Sequence, residues 1–342
     1  MSKTTRNLFL ILGLAARALI QKQREADLHG QVVLITGGSR GLGLALAHEF
    51  GRHGCRLAIC ARDSEELARA QQELESHGFE VLTTVCDLTS TSQIEQMIGD
   101  VTGHYGKIDI LVNNAGIIEV GPVQNMQRKD FEEAMAVDFW GVLDTILFVL
   151  PQMQVRKSGR IVNITSIGGK VSFPHLLPYA AAKFAATGLS EGLRSELLRD
   201  SIVVTTIVPG LLRTGSYFNA LFKGNKAGEF AWFSIGDNLP GGSISAERAA
   251  REIVSAMRRG EAERILSVPA SLLTRAQGIA PNTTSALLTF INNAVLPPPS
   301  DKPGSDTIST GTEAAPLVPA RPFFDAVTTL GRSAAERLNE KV

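Results

Sequence analysis

Gln31-Val32-Val33-Leu34-Ile35-Thr36-Gly37-Gly38-Ser39-Arg40-Gly41-Leu42-Gly43 is the stretch on which the fold turns. Its first half is a short run of apolar, mostly β-branched residues, as expected of a strand buried on both faces. Its second half is rich in glycine and leads directly into residues 42–53, whose apolar spacing is helical. Glycines permit a tight turn and let the backbone approach a bound group. A helix starting near Gly41 offers free N–H groups and the positive end of its dipole to an anion. In this strand–loop–helix context the stretch reads as a pyrophosphate-binding loop.

Working outward, the alternation repeats. Strands are predicted at 31–36, 56–60, 81–86, 108–112, 160–164, 202–208 and 264–268. Helices are predicted at 42–53, 64–76, 92–105, 129–150, 179–199 and 246–259, and Gly54, Gly78 and Gly106 stand where helices commonly end. Alternating β and α of this kind predicts an α/β fold, a doubly wound parallel sheet of about seven strands.

The remainder divides the chain of 342 residues into a catalytic domain at 28–270, an N-terminal segment at 1–27 and a C-terminal extension at 271–342. Residues 7–20 are mostly apolar but interrupted by Arg17, too short a run to span a bilayer. Two readings stay open: a helix lying in a membrane interface, or one packed on the protein's own surface or a second subunit. In the extension, 271–296 is apolar and helical in parts, 297–320 is rich in Pro, Ser, Thr and Gly and reads as a mobile linker, and 322–338 is amphipathic. Lys+Arg and Asp+Glu both number 34, so no basic field is available for nucleic acid. Cys55, Cys60 and Cys86 are too few for a disulfide framework or a zinc site and suit a reducing, cytoplasmic setting.

The end of the second strand bears on the ligand. An NAD site usually places Asp or Glu there to hold the ribose hydroxyls. This chain has Ile59-Cys60-Ala61-Arg62, with Ala61 at the acid's place. Arg62 and Arg40 could both face a 2′-phosphate, for which the planar guanidinium is suited. Asp63 could cap the helix beginning at Ser64. NADP(H) is therefore the expected cofactor.

Beyond the loop, Asn113-Asn114-Ala115-Gly116, Ser166 followed by Tyr179-Ala180-Ala181-Ala182-Lys183, and Pro209-Gly210 complete a set of motifs in fixed order. Over residues 28–268 the chain resembles the short-chain dehydrogenase/reductase family. The resemblance implies a Rossmann-like fold and hydride transfer between the nicotinamide and a carbonyl or secondary alcohol. It implies that Tyr179 exchanges the proton, that Lys183 lowers the phenol's pKa and holds the nicotinamide ribose, and that Ser166 binds the substrate oxygen. Gly37, Ser39, Arg40, Gly41, Leu42, Gly43 and Arg62 would hold the phosphates; Asp87 and Leu88 would lie beside the adenine. Asn114, Ala115 and Gly116 would line the pocket, with Pro209, Gly210 and Thr214 near the nicotinamide amide.

One position departs from the pattern: Asp138 stands where the family has an asparagine that holds a water linking the lysine to solvent. An aspartate could keep that role, pair with Lys183, impair the proton relay or serve structure alone. A rival reading, a catalytically silent NADP(H) sensor or scaffold, rests on this departure. Residues 211–245 are expected to be loop-like and to form a lid. Tyr217, Phe218, Leu221, Phe222, Phe230, Trp232 and Phe233 within them suggest a lipid-like substrate, though a self-packed hydrophobic segment would carry the same residues. His175 is read as a core or surface histidine before a pocket residue. A homo-oligomer is expected from the resemblance alone.

Overall fold

The computed structural model describes residues 25–239, 241–319 and 328–340. The N-terminal segment 7–20, with its two readings, lies outside the described residues. Seven parallel strands form the centre: β1 (Val32–Thr36), β2 (Arg56–Ala61), β3 (Val81–Val85), β4 (Ile110–Asn113), β5 (Gly159–Ile164), β6 (Ile202–Pro209) and β7 (Glu263–Leu266). Their spatial order is β7-β6-β5-β4-β1-β2-β3. Each matches a predicted strand to within two residues or so at either end. The order reverses between β1 and β4, which opens a crevice beyond the carboxyl ends of the strands.

Helices cover both faces. On one lie α1 (Gly41–Arg52) and α2 (Ser64–Ser76), and on the other α3 (Thr91–Tyr105). The expected helix 129–150 is three pieces: α4 (Arg128–Met135), a π-helical turn Ala136–Trp140, and α5 (Gly141–Arg156). Residues 128–156 contain an 18-residue window apolar enough to cross a membrane by length and composition, yet Val142, Ile146, Val149 and Met153 face the core. Then follow α6 (Leu177–Leu197), α7 (Lys226–Asn238) and α8 (Ala246–Arg258), the last joining the face of α1 and α2. Leu44, Phe50, Leu67, Ile253 and Met257 pack on one side of the sheet; Ile94, Met97, Ile146 and Met153 pack on the other. Each such fully buried large side chain contributes about 1.5–3 kcal/mol.

Two expectations are corrected here. Residues 211–245 are not mainly loop, since α7 fills their second half. Residues 297–320 are not a mobile linker over their described length. The Asn125 amide donates to the Ser300 carbonyl (2.8 Å), the Ser305 hydroxyl and the Asp306 carboxylate (2.7 Å), and Ser309–Thr310 pairs with Leu221–Phe222. Backbone pairing and a buried amide fix a segment that composition alone marks as flexible. The apolar stretch before it forms α9 (Val268–Ile279) and α10 (Pro281–Ala294), and Thr329–Arg337 forms α11.

Candidate active site

The loop after β1 is shaped by backbone conformations and close approaches that exclude side chains. Gly37 and Gly41 have φ of +64° and +56°. A Cβ on Gly37 would stand 2.9 Å from the Cα of Ala115. Asn114 ties the loop to β4: its amide donates to the carbonyls of Thr36 (3.1 Å) and Gly37 (3.0 Å). Arg40 precedes α1 without a side-chain cap, leaving the first amides of the helix for another acceptor. One acceptor is internal, because Gly41 N–H donates to the Leu338 carbonyl (2.9 Å).

Arg40 does not stand free for a phosphate. Its guanidinium pairs with Glu66 (2.8 Å) and with Glu340 (3.2 Å), both largely buried. Arg62 is exposed at the mouth of the same cavity, and Asp63 caps α2 by accepting from the amides of Glu65 and Glu66 (3.0 Å each). The Asp87 carboxylate closes a turn on Thr89, and Leu88 lies beside it in the wall.

Ser166 ends the segment after β5, and Tyr179 and Lys183 lie one turn apart near the start of α6. All three line one cavity of about 1570 Å³. The same cavity is lined by Gly37, Ser39, Arg40, Gly41, Leu42, Arg62, Asp87, Leu88, Asn114, Ala115, Gly116, Pro209, Gly210 and Thr214. Gly43 and Asp138 are not in its wall. A Cβ on Gly43 would run into the Gly37 carbonyl, so this glycine serves the packing of loop against helix. Lys183 Nζ stands 3.2 Å from Asp138 Oδ1 and 3.4 Å from the Ile164 carbonyl, and 5.6 Å from the centre of the Tyr179 ring. Ser166 accepts from Gly168 N–H (2.9 Å), which leaves its own proton to donate.

Asp138 sits in the π-helical turn, fully buried, and also accepts from Ile117 N–H (3.3 Å). Its second oxygen has no hydrogen-bond partner. Of the roles open to it, the pairing with Lys183 is the one for which the geometry gives a contact. A Cβ on Gly116 would collide with this carboxylate and approach Lys183 Nζ to 3.2 Å, so glycine is required beside the pair. Burial raises the Asp138 pKa, and the Lys183 ammonium and the Ile117 amide resist it. Burial opposes charge on Lys183, but Asp138 and then Tyr179 outweigh it and raise the lysine's pKa. Burial likewise raises the Tyr179 phenol; Lys183 pulls it down, Asp138 pushes it up and the Ser166 hydrogen bond lowers it, with a net upward direction.

Of the aromatics at 217–233, Tyr217, Phe218, Phe222 and Phe230 are buried against one another in a separate core. Leu221, Trp232 and Phe233 line the cavity. Phe233 belongs to that core as well as to the cavity wall, so self-packing takes in five of the seven residues. His175 is buried away from the cavity; Glu229 holds its Nδ1 (2.9 Å) and accepts from Trp232 Nε1 (2.6 Å). Among the cavity groups that sequence reasoning missed are Asp237 on α7, Ser267 before α9, and Glu340. No local motif marks them, since each arrives from a separate part of the fold.

A glycine-lined anion cradle, a serine, a phenol and an ammonium facing one cavity suit a nicotinamide dinucleotide and a carbonyl compound side by side. Comparison with known proteins points the same way. Residues 31–220 match the family profile described as short chain dehydrogenase. The chain is 36% identical over 255 residues to a dehydrogenase/reductase SDR family protein 7-like of Anopheles gambiae, covering 73% of this chain and 79% of that one. Its fold resembles a short-chain dehydrogenase from Streptomyces avermitilis (TM-score 0.65, 29% identity, 77% of this chain and 98% of that one). It also resembles an actinorhodin polyketide ketoreductase solved with NADPH (TM-score 0.63, 29% identity, 70% and 96%).

Proposed function

Because the chain belongs to the short-chain dehydrogenase/reductase family of oxidoreductases, we propose that it is an NADP(H)-dependent carbonyl reductase whose proton donor is Tyr179. The observation that carries this reading is the convergence of Ser166, Tyr179 and Lys183 on one cavity with the glycine-rich loop. NADP(H) would be held by Gly37, Ser39, Gly41, Leu42 and Arg62, with Asp87 and Leu88 at its adenine end. Arg40 would join them once released from its acids. Asn114, Ala115, Gly116, Pro209, Gly210 and Thr214 would border its nicotinamide half. When bound, the cofactor supplies the hydride that the carbonyl carbon receives.

The chain's own groups handle the proton. Ser166 donates a hydrogen bond to the carbonyl oxygen, on which negative charge develops. Tyr179 transfers its phenolic proton to that oxygen, and the Lys183 ammonium stabilises the phenolate left behind. Asp138 keeps Lys183 charged and in place. The reverse direction begins with the phenolate taking the alcohol proton. Trp232, Phe233 and Leu221 give the substrate end an apolar wall, in keeping with an apolar carbonyl compound. The test is NADPH oxidation with a panel of ketones and aldehydes. Tyr179→Phe is expected to lower kcat by about 10²–10⁴-fold while the dissociation constant for NADPH stays within about twofold of wild type. Undiminished turnover in that variant removes Tyr179 from its role.

A further inference from the structure

Among the carboxyls that line the cavity, Asp237 is one that the mechanism does not use. Asp237 lies near the end of α7, is 6% exposed, and lines the cavity beside Trp232, Phe233 and Leu239. Among the described residues its side chain makes no hydrogen bond or ion pair. Buried carboxyls are ordinarily paired, because an isolated charge in an apolar wall is costly. An unpartnered one aimed into a ligand cavity is therefore a recognition group waiting for its ligand. We propose that Asp237 binds a second oxygen function of the substrate, so that the preferred substrates are ketones carrying a further hydroxyl or keto group away from the reacting carbon.

This rests on the reductase reading above and deepens it. Burial pushes the Asp237 pKa up to about 8, so the group carries its proton at neutral pH. A protonated carboxyl donates to a keto oxygen and accepts from a hydroxyl, and so matches both. Its charge, when present, reaches Tyr179 and raises the phenol's pKa, which puts the group within range of the reacting centre.

A matched set tests this: a cycloalkanone, its hydroxy- and keto-substituted forms, and its amino-substituted form, each with NADPH. Wild type is expected to favour the oxygenated members by about tenfold in kcat/KM, the scale of one good buried hydrogen bond. Asp237→Leu should reduce that preference to within about twofold, read as the ratio of kcat/KM for the oxygenated over the plain ketone within the variant itself. Asp237→Asn, which can still donate and accept, should keep it. Equal discrimination in wild type and Asp237→Leu overturns the proposal, as does a preference for the amino ketone. Should wild type reduce no ketone at all, the reductase reading fails. Melting of the NADP⁺-loaded protein with the same compounds then decides Asp237 alone: stabilisation of wild type but not Asp237→Leu by the oxygenated members supports it, and equal shifts overturn it.

A separate observation lies at the other end of the cavity. Independently, we infer that residues 338–340 sit in the phosphate subsite as an internal anion that the cofactor must displace. The Leu338 carbonyl takes the Gly41 N–H that opens α1. The Glu340 carboxylate pairs with Arg40 (3.2 Å) and accepts from the Asn219 amide (2.5 Å), and a Cβ on Gly41 would lie 2.7 Å from it. Asn339 secures the contact, its amide donating to the carbonyls of Ser39 (2.8 Å) and Glu66 (3.0 Å) and its oxygen accepting from Arg69 (2.8 Å). A helix N-terminus and an arginine are the fixed elements that favour an anion here, and a carboxylate already answers both.

The probe is adenosine 2′,5′-bisphosphate, which engages the phosphate subsite without the nicotinamide, measured beside NADPH by calorimetry on the full chain. Glu340→Gln, and separately removal of everything after Arg337, are expected to tighten both ligands by about tenfold, equivalent to about 1.4 kcal/mol. Thermal melts of the unliganded proteins report whether the variants are folded. Unchanged affinity in both variants overturns the inference. So does weaker affinity, which would make the segment a clamp on bound cofactor.

Discussion

Asp138 stands where the resemblance implies an asparagine, and its effect on the neighbours can be signed. Its charge raises the pKa of Tyr179, while Lys183 lowers it. Asp138→Asn removes the first influence and leaves the second, so the phenol should become more acidic. Reduction needs the protonated phenol, and its rate should then fall off at lower pH than in wild type. Oxidation of the corresponding alcohol should reach its plateau at lower pH as well. Profiles of kcat/KM against pH in both directions check this, and superimposable profiles would show that the pair acts as a neutral unit. Arg62 offers a second residue-scale test. Exposed at the cavity mouth with no acid bound to it among the described residues, it is the guanidinium most available to a 2′-phosphate. Arg62→Ala should weaken NADPH by about tenfold or more while leaving NADH nearly unaffected, the loss of one charge-assisted pair; equal losses would sever it from the phosphate.

At the scale of elements, the sheet is fastened internally by a chain of polar groups. Thr145 on α5 donates to Asn113 on β4 (2.7 Å), Asn113 donates to Asn163 on β5 (2.9 Å), Asn163 donates to Ser190 on α6 (3.0 Å), and Ser190 meets Thr206 on β6 (2.6 Å). Asn113→Ala strands two buried partners and should cost about 2–4 kcal/mol in denaturant unfolding, with little change in m. A loss below about 0.5 kcal/mol would mean the chain is relaxed by water. Much of this level was legible beforehand. The strands and the helices after them announce themselves by local apolar period, and the glycine loop by its position between them. The π-helical turn was not legible, because Val137-Asp138-Phe139 fits an ordinary helix and only the approach of Asp138 to Lys183, held on another helix, reveals the bulge. Helix α7 was missed for a related reason: with Gly228 and Gly236 inside it and apolar residues on several sides, it lacks the one-sided stripe by which a surface helix is recognised.

For the whole molecule, three carboxyls among the described residues besides Asp138 have pKa values shifted well above their usual range. Burial pushes Glu119 and Asp237 up to about 8 and Glu340 up to about 7. A carboxyl whose pKa is raised by folding binds a proton that the unfolded chain has released, so stability must fall as pH rises from the unfolded values near 4 toward 8. Glu119, with both oxygens buried and unpartnered, isolates one such contribution. Glu119→Gln should flatten the decline by up to about 1.4 kcal/mol per pH unit, read from urea unfolding of the unliganded protein between pH 5 and 8. An unaltered slope would mean the group is not holding its proton. Asp237 and Glu340 were invisible in the sequence because their significance lies in tertiary neighbours: Asn339 bonds to Ser39 across 300 residues of chain. That separation has a consequence during synthesis. The last strand of the central sheet ends at Leu266, so a growing chain can assemble the sheet and its glycine-rich loop about 70 residues before residues 338–340 exist. At ribosomal speeds the delay is roughly 4–15 seconds. A nascent polypeptide could thus meet its dinucleotide unopposed, with residues 338–340 arriving as the later competitor.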